Sequence, residues 1–268
     1  MTRQQLSEQI AQQLAAHKEE LSRYWNQSSP VRHFYLDGLL PEEWAIECYD
    51  ALPGAADLME RNTIKEHKHV GIDLEKYKPL VGDILLAFQD AGVIKAVSEI
   101  TGVKDLLPDE SLYGSGVSMM LEGDFLLPHL DNSHDGDGNL YRVLNTLYYI
   151  TPNWPEDKGG NLELWDSHMK QRLEIHSRFN RLVVMETNTR SIHSVNKVVN
   201  NGARTCISNY YFSEKPVNEP EYIHKTTFYA RPEDDVIKKV RLTVEGKAKN
   251  FLSRFIDNKT TGTKHRRK

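Results

Sequence analysis

The sequence has few cysteines, no long apolar run and little net charge. Only two of its 268 residues, Cys48 and Cys206, are cysteines, which excludes a disulfide framework and a zinc–thiolate site. No run of about 18 apolar residues is present, so no membrane span is expected. The N-terminal segment also lacks the apolar core of a signal peptide. These absences predict a cytoplasmic protein.

The charge balance is mildly acidic. Lys plus Arg number 34 against 38 for Asp plus Glu, a formal net charge of −4, which leaves no electrostatic footprint for nucleic acid. Apolar residues make up 39% of the chain and charged residues 27%, as in ordinary globular proteins. The basic residues 258–268 are expected to form a disordered tail, and a nucleic-acid contact there is the weaker interpretation because basic tails are common.

The first hundred or so residues read as mainly helical. Apolar residues at steps of three, four or seven predict a helix over 3–25, and further helices are expected over 41–51 and 80–100, the last as one helix or two. Short strands are expected at 33–36 and 63–73.

After Pro108 the residue pattern changes to short runs of strand-forming residues separated by Gly, Asn, Asp and Pro. The predicted strands are 112–121, 142–151, 161–165, 172–176, 181–186 and 205–213. This spacing is typical of a β-sandwich or barrel. A C-terminal helix is expected over 236–255.

Three residues offer the ligand types of a metal site. His129 and Asp131 stand two apart, so in a strand their side chains point to the same side. His193 follows the strand candidate 181–186 and could supply a third ligand. Two histidines and a carboxylate that leave open positions are the arrangement of non-haem Fe(II) oxygenases, and a catalytic zinc ion is the competing interpretation.

An arginine strengthens the signal. Arg204 begins the apolar strand after His193, where a buried guanidinium requires an anion. Its planar fork matches a carboxylate, and Ser208, on the same side of that strand, can add a hydroxyl donor.

In these residues the sequence resembles the Fe(II)/2-oxoglutarate-dependent oxygenases of the prolyl-4-hydroxylase-like group. The resemblance covers about residues 112–213 and rests on motifs in the family's order: His129-Leu130-Asp131-Asn132, RVLNTLYYI (142–150), GGNLELW (159–165), NRLVV (180–184), His193-Ser194-Val195 and residues 204–212. It implies a mainly β fold with flanking helices, whose core is a double-stranded β-helix of the jelly-roll, cupin-like type.

The resemblance also implies the site. His129, Asp131 and His193 would bind Fe(II), and the far carboxylate of the cosubstrate 2-oxoglutarate would meet Arg204 and Ser208. Tyr149 falls at a matching position for that carboxylate, and Asn145 on the same strand face could contact the cosubstrate. O₂ would be the second cosubstrate, and ascorbate is left open as a further cofactor. The family's tyrosine before the first histidine is replaced here by Met119-Met120-Leu121.

One domain overall is expected, in four parts: 1–107 with N-terminal helices and edge strands, 108–216 with the catalytic core, 217–257 as a C-terminal extension with a helix, and the tail 258–268. The expected function is hydroxylation of an unactivated C–H bond, since the Asp131 ligand disfavours the related halogenases. A small-molecule substrate is slightly preferred. The alternatives are a peptidyl, prolyl-type hydroxylase and a non-catalytic metal-binding β-barrel module.

The substrate side is the least defined part. The basic run Lys65, His67, Lys68 and His69 could meet an anionic group, although a solvated basic edge is the favoured interpretation. Trp165 could line the entrance or pack in the core. His134 is expected in solvent. Arg142 and Arg231 receive no role, and the oligomeric state is left open.

Overall fold

Five helices occupy the N-terminal part of the chain. In this computed structural model, which describes residues 1–71, 73–199, 201–237, 239, 240 and 242, the α-helices are α1 (Arg3–Ala16), α2 (Lys18–Gln27), α3 (Glu42–Ala51), α4 (Pro79–Ala87) and α5 (Ala91–Thr101). The helix predicted over 3–25 is therefore two helices that meet at His17. Residues 80–100 form two helices, and α5 ends at Gly102, whose φ of +73° suits glycine.

Eight of the described strands follow the predicted runs with adjusted ends, and four were not predicted. The strand bounds are β1 (His33–Asp37), β2 (Met59–Asn62), β3 (Glu66–Gly71), β4 (Gly116–Met120), β5 (Phe125–Leu130), β6 (Tyr141–Tyr149), β7 (Leu162–Trp165), β8 (Arg172–Ile175), β9 (Arg181–Glu186), β10 (His193–Val195), β11 (Arg204–Ser213) and β12 (Thr227–Phe228). The strands that were not predicted are β2, β5, β10 and β12. The run 112–121 becomes a strand only at Gly116, because Leu112 has a positive φ of 51° in the turn before it.

All described strands belong to one curled antiparallel sheet. Their order is β1-β9-β6-β11-β4-β3-β5-β10-β7-β8, with β2 paired to β3 and β12 paired to β5. Strand β3 pairs with β4 through His69–Gly71 and with β5 through Glu66–His67, so it joins the two halves of the sheet. The sheet thus folds over a central cavity, as expected for a jelly-roll-type core.

Strand alternation divides the side chains of β6 between the core and the cavity. Leu144 and Tyr148 face the helices in the main hydrophobic core, where the Tyr148 hydroxyl donates to Asn180 Oδ1 at 2.8 Å. Asn145 and Tyr149 line the cavity on the other face. Of the two adjacent tyrosines, only Tyr149 therefore faces the cavity.

Both cysteines, Cys48 and Cys206, are buried and free.

None of the helices in the described part of the chain has the length and apolar character needed to cross a membrane.

Two predicted C-terminal segments lie outside the residues that the structure describes. The helix predicted over 236–255 lies largely outside the described residues, and the tail 258–268 lies wholly outside them. The division into four parts stays a prediction.

Candidate active site

The three side chains predicted as metal ligands meet at one end of two neighbouring strands. His129 on β5 and His193 on β10 are directly opposite in the antiparallel register, and Asp131 follows the end of β5. One ligand atom from each residue lies within 4.8 Å of the other two. Asp131 Oδ1 is 3.6 Å from His129 Nε2, and Asp131 Oδ2 is 3.7 Å from His193 Nε2.

Backbone carbonyls orient both imidazoles. His129 Nδ1 lies 2.9 Å from the carbonyl oxygen of Leu127, and His193 Nδ1 lies 3.0 Å from that of Ser191. A carbonyl only accepts, so each Nδ1 carries the proton and each Nε2 presents its lone pair toward Asp131. Such a hydrogen bond fixes the tautomer that a metal-binding histidine needs.

The electrostatics of the triad favour its metal-binding protonation states. Burial raises the pKa of the Asp131 carboxyl, but His193, His129 and Arg142 outweigh that effect and hold it well below the ordinary value. Burial, and then the neighbouring His129, lower the pKa of His193 to about 4. A carboxylate and a neutral imidazole are therefore present at neutral pH, and these are the forms that bind metal.

The donor set fits a divalent metal ion. Asp131 Oδ2 is buried and has no hydrogen-bond partner, a costly state for a carboxylate oxygen unless a cation is bound. Two imidazoles and one carboxylate with further positions open toward a cavity suit non-haem Fe(II), and zinc accepts the same ligands.

The residues predicted to hold the cosubstrate line the same cavity, which has a volume of about 370 Å³. Arg204 is 3% exposed, and its Nε donates to the carbonyl oxygen of Gly160 at 2.8 Å and to Ser177 Oγ at 3.2 Å. Its guanidinium carbon lies 4.9 Å from the centre of the Tyr149 ring. Arg204 is thus buried and anchored at one edge, at the cavity wall.

Unpaired polar atoms mark this part of the cavity. The Tyr149 hydroxyl and Asn145 Oδ1 are buried without hydrogen-bond partners, and burial raises the pKa of Tyr149. Ser208 also lines the cavity, where its hydroxyl donates to the carbonyl oxygen of Gly116 at 3.4 Å. The structure therefore brings the four predicted residues together beside polar atoms that a polar ligand would satisfy.

A C-terminal segment that the sequence did not connect with the site pairs with β5, the strand that carries His129. Phe228 on β12 is opposite His129 in register, and the two rings stack at 5.3 Å. His224 Nε2 hydrogen-bonds to the carbonyl oxygen of Asp131. No motif could have indicated these contacts, because they depend on where the chain returns after β11.

Two expectations about individual histidines and basic residues need correction. His134 is 8% exposed rather than solvated, with its Nδ1 2.7 Å from Ser133 Oγ. In the basic run, Lys68 lines the cavity and pairs with Glu66 at 2.9 Å, whereas His67 Nδ1 lies 3.1 Å from the buried carboxylate of Asp124. The run is therefore not a simple solvated edge.

Outside the cavity, a buried carboxylate supports the strand of His193. Glu163 Oε2 accepts hydrogen bonds from Ser194 Oγ at 2.6 Å and lies 2.7 Å from Arg231 Nη2. Trp165 donates its indole N–H to the same Ser194 hydroxyl at 2.7 Å and is 3% exposed, so it packs in the interior.

The comparisons with known proteins agree with this geometry. Residues 115–212 match the model of the 2OG-Fe(II) oxygenase superfamily. The matched part of the chain is similar to that superfamily. Its enzymes use Fe(II) with 2-oxoglutarate and O₂, and the matched region contains the candidate ligands and Arg204. No relative is found among curated protein sequences.

Solved oxygenase structures share the fold of this chain. A prolyl hydroxylase from Trichoplax adhaerens, in complex with a peptide of the oxygen degradation domain of hypoxia inducible factor, is 19% identical with a TM-score of 0.53 over 75% of this chain and 92% of that one. A prolyl-4-hydroxylase from Pseudomonas putida is 16% identical, with a TM-score of 0.52 over 72% and 98%. HygX from Streptomyces hygroscopicus, with nickel and 2-oxoglutarate bound, is 13% identical, with a TM-score of 0.51 over 78% and 89%. These likenesses confirm the double-stranded β-helix.

Proposed function

We propose that this oxygenase hydroxylates an unactivated C–H bond of a small molecule, with conversion of 2-oxoglutarate to succinate and CO₂. The observation that carries the proposal is the convergence of His129, Asp131 and His193 on one point of a cavity that also holds the buried Arg204. A non-catalytic metal-binding module would have no need for a buried arginine and an unpaired tyrosine hydroxyl in the same cavity.

Fe(II) held by His129, Asp131 and His193 would supply the oxidising chemistry, in which O₂ would provide one oxygen atom to succinate and one to the new hydroxyl group while 2-oxoglutarate is converted to succinate and CO₂. The side chains of the protein bind and orient. The two imidazoles, held through their Nδ1–H groups, and the Asp131 carboxylate would occupy one face of the metal. Arg204 would pair with the far carboxylate of 2-oxoglutarate, and the Tyr149 hydroxyl would donate to that carboxylate.

The chain provides shape and solvent exclusion rather than acid–base chemistry. The candidate ligands, Arg204, Tyr149 and Asn145 are buried, and the C-terminal segment with Phe228 covers His129 from outside. Excluding water protects a reactive centre from side reactions. We assign no general base to the protein, because hydroxylation at a metal centre does not require one.

Two observations support a small substrate. The cavity, at about 370 Å³, is near the lower end of the range of roughly 300–1,000 Å³ for small-molecule sites, and it must also hold 2-oxoglutarate. In addition, β5 pairs with β10 on one side and with β3 and β12 on the other, so in the described part of the chain the metal-binding strand has no free edge for an added peptide strand.

A peptidyl hydroxylase is the second candidate. It is favoured by the likeness to the Trichoplax adhaerens prolyl hydroxylase, which binds a peptide. A peptide could still insert a single side chain into the cavity. We also propose a cytoplasmic location, because both cysteines are free and buried, as expected in a reducing compartment.

The first experiment tests the site itself. Apoprotein is titrated anaerobically with Fe(II) and then with 2-oxoglutarate, and the weak visible charge-transfer band of a chelated keto acid is measured. We expect the band in the wild type, a weakened band in Arg204→Gln and no succinate formation by His129→Ala or Asp131→Ala. The exposed His168 gives the matched control His168→Ala, which should behave like the wild type. An iron-loaded protein without the band, or full turnover by a ligand variant, would refute the assignment.

The second experiment separates the two substrate classes. Cell extract is divided into a small-molecule fraction and a protein fraction, each is incubated with enzyme, Fe(II), 2-oxoglutarate and ¹⁸O₂, and ¹⁸O incorporation is read by mass spectrometry. Label in a metabolite supports the proposal. Label confined to a peptide would favour the peptidyl alternative.

A further inference from the structure

A second buried arginine lies in the cavity, close to the metal-binding residues. Arg142 is 4% exposed, lines the cavity and is the second residue of β6. Its Nη1 is 3.7 Å from Asp131 Oδ1, too far for a hydrogen bond, and its one hydrogen bond among the described residues runs from Nη2 to the carbonyl oxygen of Tyr113 at 3.4 Å. Its Nε is buried with no partner.

Neighbouring groups hold this guanidinium in a defined position. Its carbon lies 3.8 Å from the centre of the Tyr210 ring, which orients its plane. Gly114, with φ of +86°, passes so close that a Cβ there would stand 3.3 Å from Arg142 Nη2 and 3.2 Å from the Tyr210 ring. A guanidinium has five N–H donors, so most of the donors of Arg142 are without a strong protein acceptor. Leaving a buried charge so poorly satisfied is costly unless a ligand completes it.

Arg142 is separate from the proposed cosubstrate position. Arg142 pairs with Phe212 near the end of β11, whereas Arg204 is the first residue of β11. The backbones of the two arginines are therefore roughly 25 Å apart along the strand, at about 3.3 Å per residue. The cavity thus has an anion position at each end of the β6–β11 pair, with the metal-binding residues beside Arg142.

The net charge of the described cavity lining also favours an anion in addition to 2-oxoglutarate. Four cationic side chains line it, Arg61, Lys68, Arg142 and Arg204, against the two carboxylates of Glu66 and Asp131. Fe(II) and the dianion of 2-oxoglutarate cancel each other. An excess of two positive charges remains, and a low-dielectric cavity focuses it on whatever enters.

We propose that Arg142 binds a carboxylate of the substrate, so that the enzyme acts on small carboxylic acids at a carbon close to the acid group. This inference rests on the proposed function and adds the substrate class. A planar carboxylate matches the Nε–Nη edge of the guanidinium in a bidentate manner, and Nε has no partner there. The 3.7 Å separation of Arg142 from a metal ligand places the bound acid next to the reacting centre.

The test compares acids with their neutral amides. Three pairs are titrated by calorimetry into anaerobic enzyme saturated with Fe(II) and 2-oxoglutarate: benzoate and benzamide, cyclohexanecarboxylate and cyclohexanecarboxamide, and L-proline and L-prolinamide. We expect at least one acid to bind about tenfold more tightly than its amide, a difference of ~1.4 kcal/mol. Equal affinity in all three pairs, or no binding by any acid, would overturn the proposal.

Variants identify which residue causes the preference for acids over amides. Arg142→Gln should reduce the acid-to-amide ratio to about 2 or less, and Arg142→Lys should keep an intermediate ratio because it retains the charge and loses the fork. Lys68→Gln is the matched control: Lys68 lines the same cavity but already pairs with Glu66 at 2.9 Å, so most of the preference should persist. Preference that survives in Arg142→Gln and disappears in Lys68→Gln would refute the assignment.

The charge-transfer band separates this inference from the proposed function. Arg142→Gln should still give the band, which shows that the variant is folded, and it should lose far less 2-oxoglutarate affinity than Arg204→Gln. Loss of 2-oxoglutarate affinity in Arg142→Gln, with retention in Arg204→Gln, would overturn the inference by exchanging the roles of the two arginines. A wild type without the band would instead refute the proposed function.

Discussion

The carboxylate of Glu163 pairs with two arginines of very different exposure, which allows a quantitative prediction. Glu163 is fully buried; Arg231 Nη2 lies 2.7 Å from its Oε2 and is 13% exposed, whereas Arg172 Nη1 lies 2.8 Å from its Oε1 and is 45% exposed. Arg231 Nη2 also donates to the carbonyl oxygen of Val195 at 3.2 Å. The two distances are nearly equal, so the variants differ chiefly in solvent screening and in this extra bond.

The expected costs follow from those contacts. Arg231→Gln removes a buried charge-assisted hydrogen bond, worth ~1.5–3 kcal/mol, and a bond to a carbonyl worth ~1 kcal/mol. We expect the free energy of unfolding to fall by about 3 kcal/mol. Arg172→Gln breaks a pair that water screens, so its cost should stay below about 1 kcal/mol.

Loss of the Arg231–Glu163 pair should also lower the affinity of the proposed metal site for Fe(II). Glu163 accepts a hydrogen bond from Ser194, the residue after His193, so a loosened carboxylate disturbs the strand that carries a ligand. Partners of this kind affect metal affinity about 10–100-fold, and we expect the low end, about tenfold, for Arg231→Gln.

Urea unfolding of the apoproteins measures the first effect, and competition with an Fe(II) chelator measures the second. The double variant Arg172→Gln/Arg231→Gln completes a cycle, in which a coupling energy is expected because both arginines share one carboxylate. Equal destabilisation by the two single variants would refute the reasoning, since it would show that burial does not decide the strength of these pairs.

Two further predictions concern a glycine and a buried histidine. Gly160→Ala should weaken 2-oxoglutarate binding about tenfold in a charge-transfer titration and cost ~1–2 kcal/mol of stability, because φ is +71° and the new Cβ would stand 3.2 Å from Arg204 Cγ; unchanged binding would contradict it. Burial lowers the pKa of His33 below its ordinary 6.5, so the folded state binds fewer protons than the unfolded state and stability is lost as the pH falls below about 6.5. His33→Gln should therefore flatten the decline of unfolding free energy between about pH 6.5 and 5, and an unchanged slope would argue against a neutral His33.

Much of the fold was accessible from local patterns. Strand β9 was predicted to the residue, and β1, β7 and β8 within one residue, because turn residues bracket short apolar runs. The helix over 3–25 was wrong as a single helix because apolar periodicity continues across the break at His17. The short strand β5, which carries His129, was not predicted as a strand, since Pro128 and the flanking acidic residues disguise it.

Some features of the site could also be predicted from the sequence and others could not. His129 and Asp131 could be predicted because a spacing of two residues puts both side chains on the same side of a strand. The unpaired Nε of Arg142 could not be, because it depends on how far Arg142 lies from Asp131 and from the Tyr113 carbonyl, which come from other parts of the chain.

The sequence by itself determined the β-type core, the candidate ligands and the arginine expected to meet 2-oxoglutarate, since all of these are encoded by residue type and by short spacings along the chain. The tertiary structure alone decided that β12 and Phe228 cover His129, that Glu163 is clamped by Arg231, and that Arg142 presents unpaired donors beside Asp131. The physical reason is that burial and hydrogen-bond satisfaction are properties of segments brought together from distant parts of the chain, and no local pattern records them.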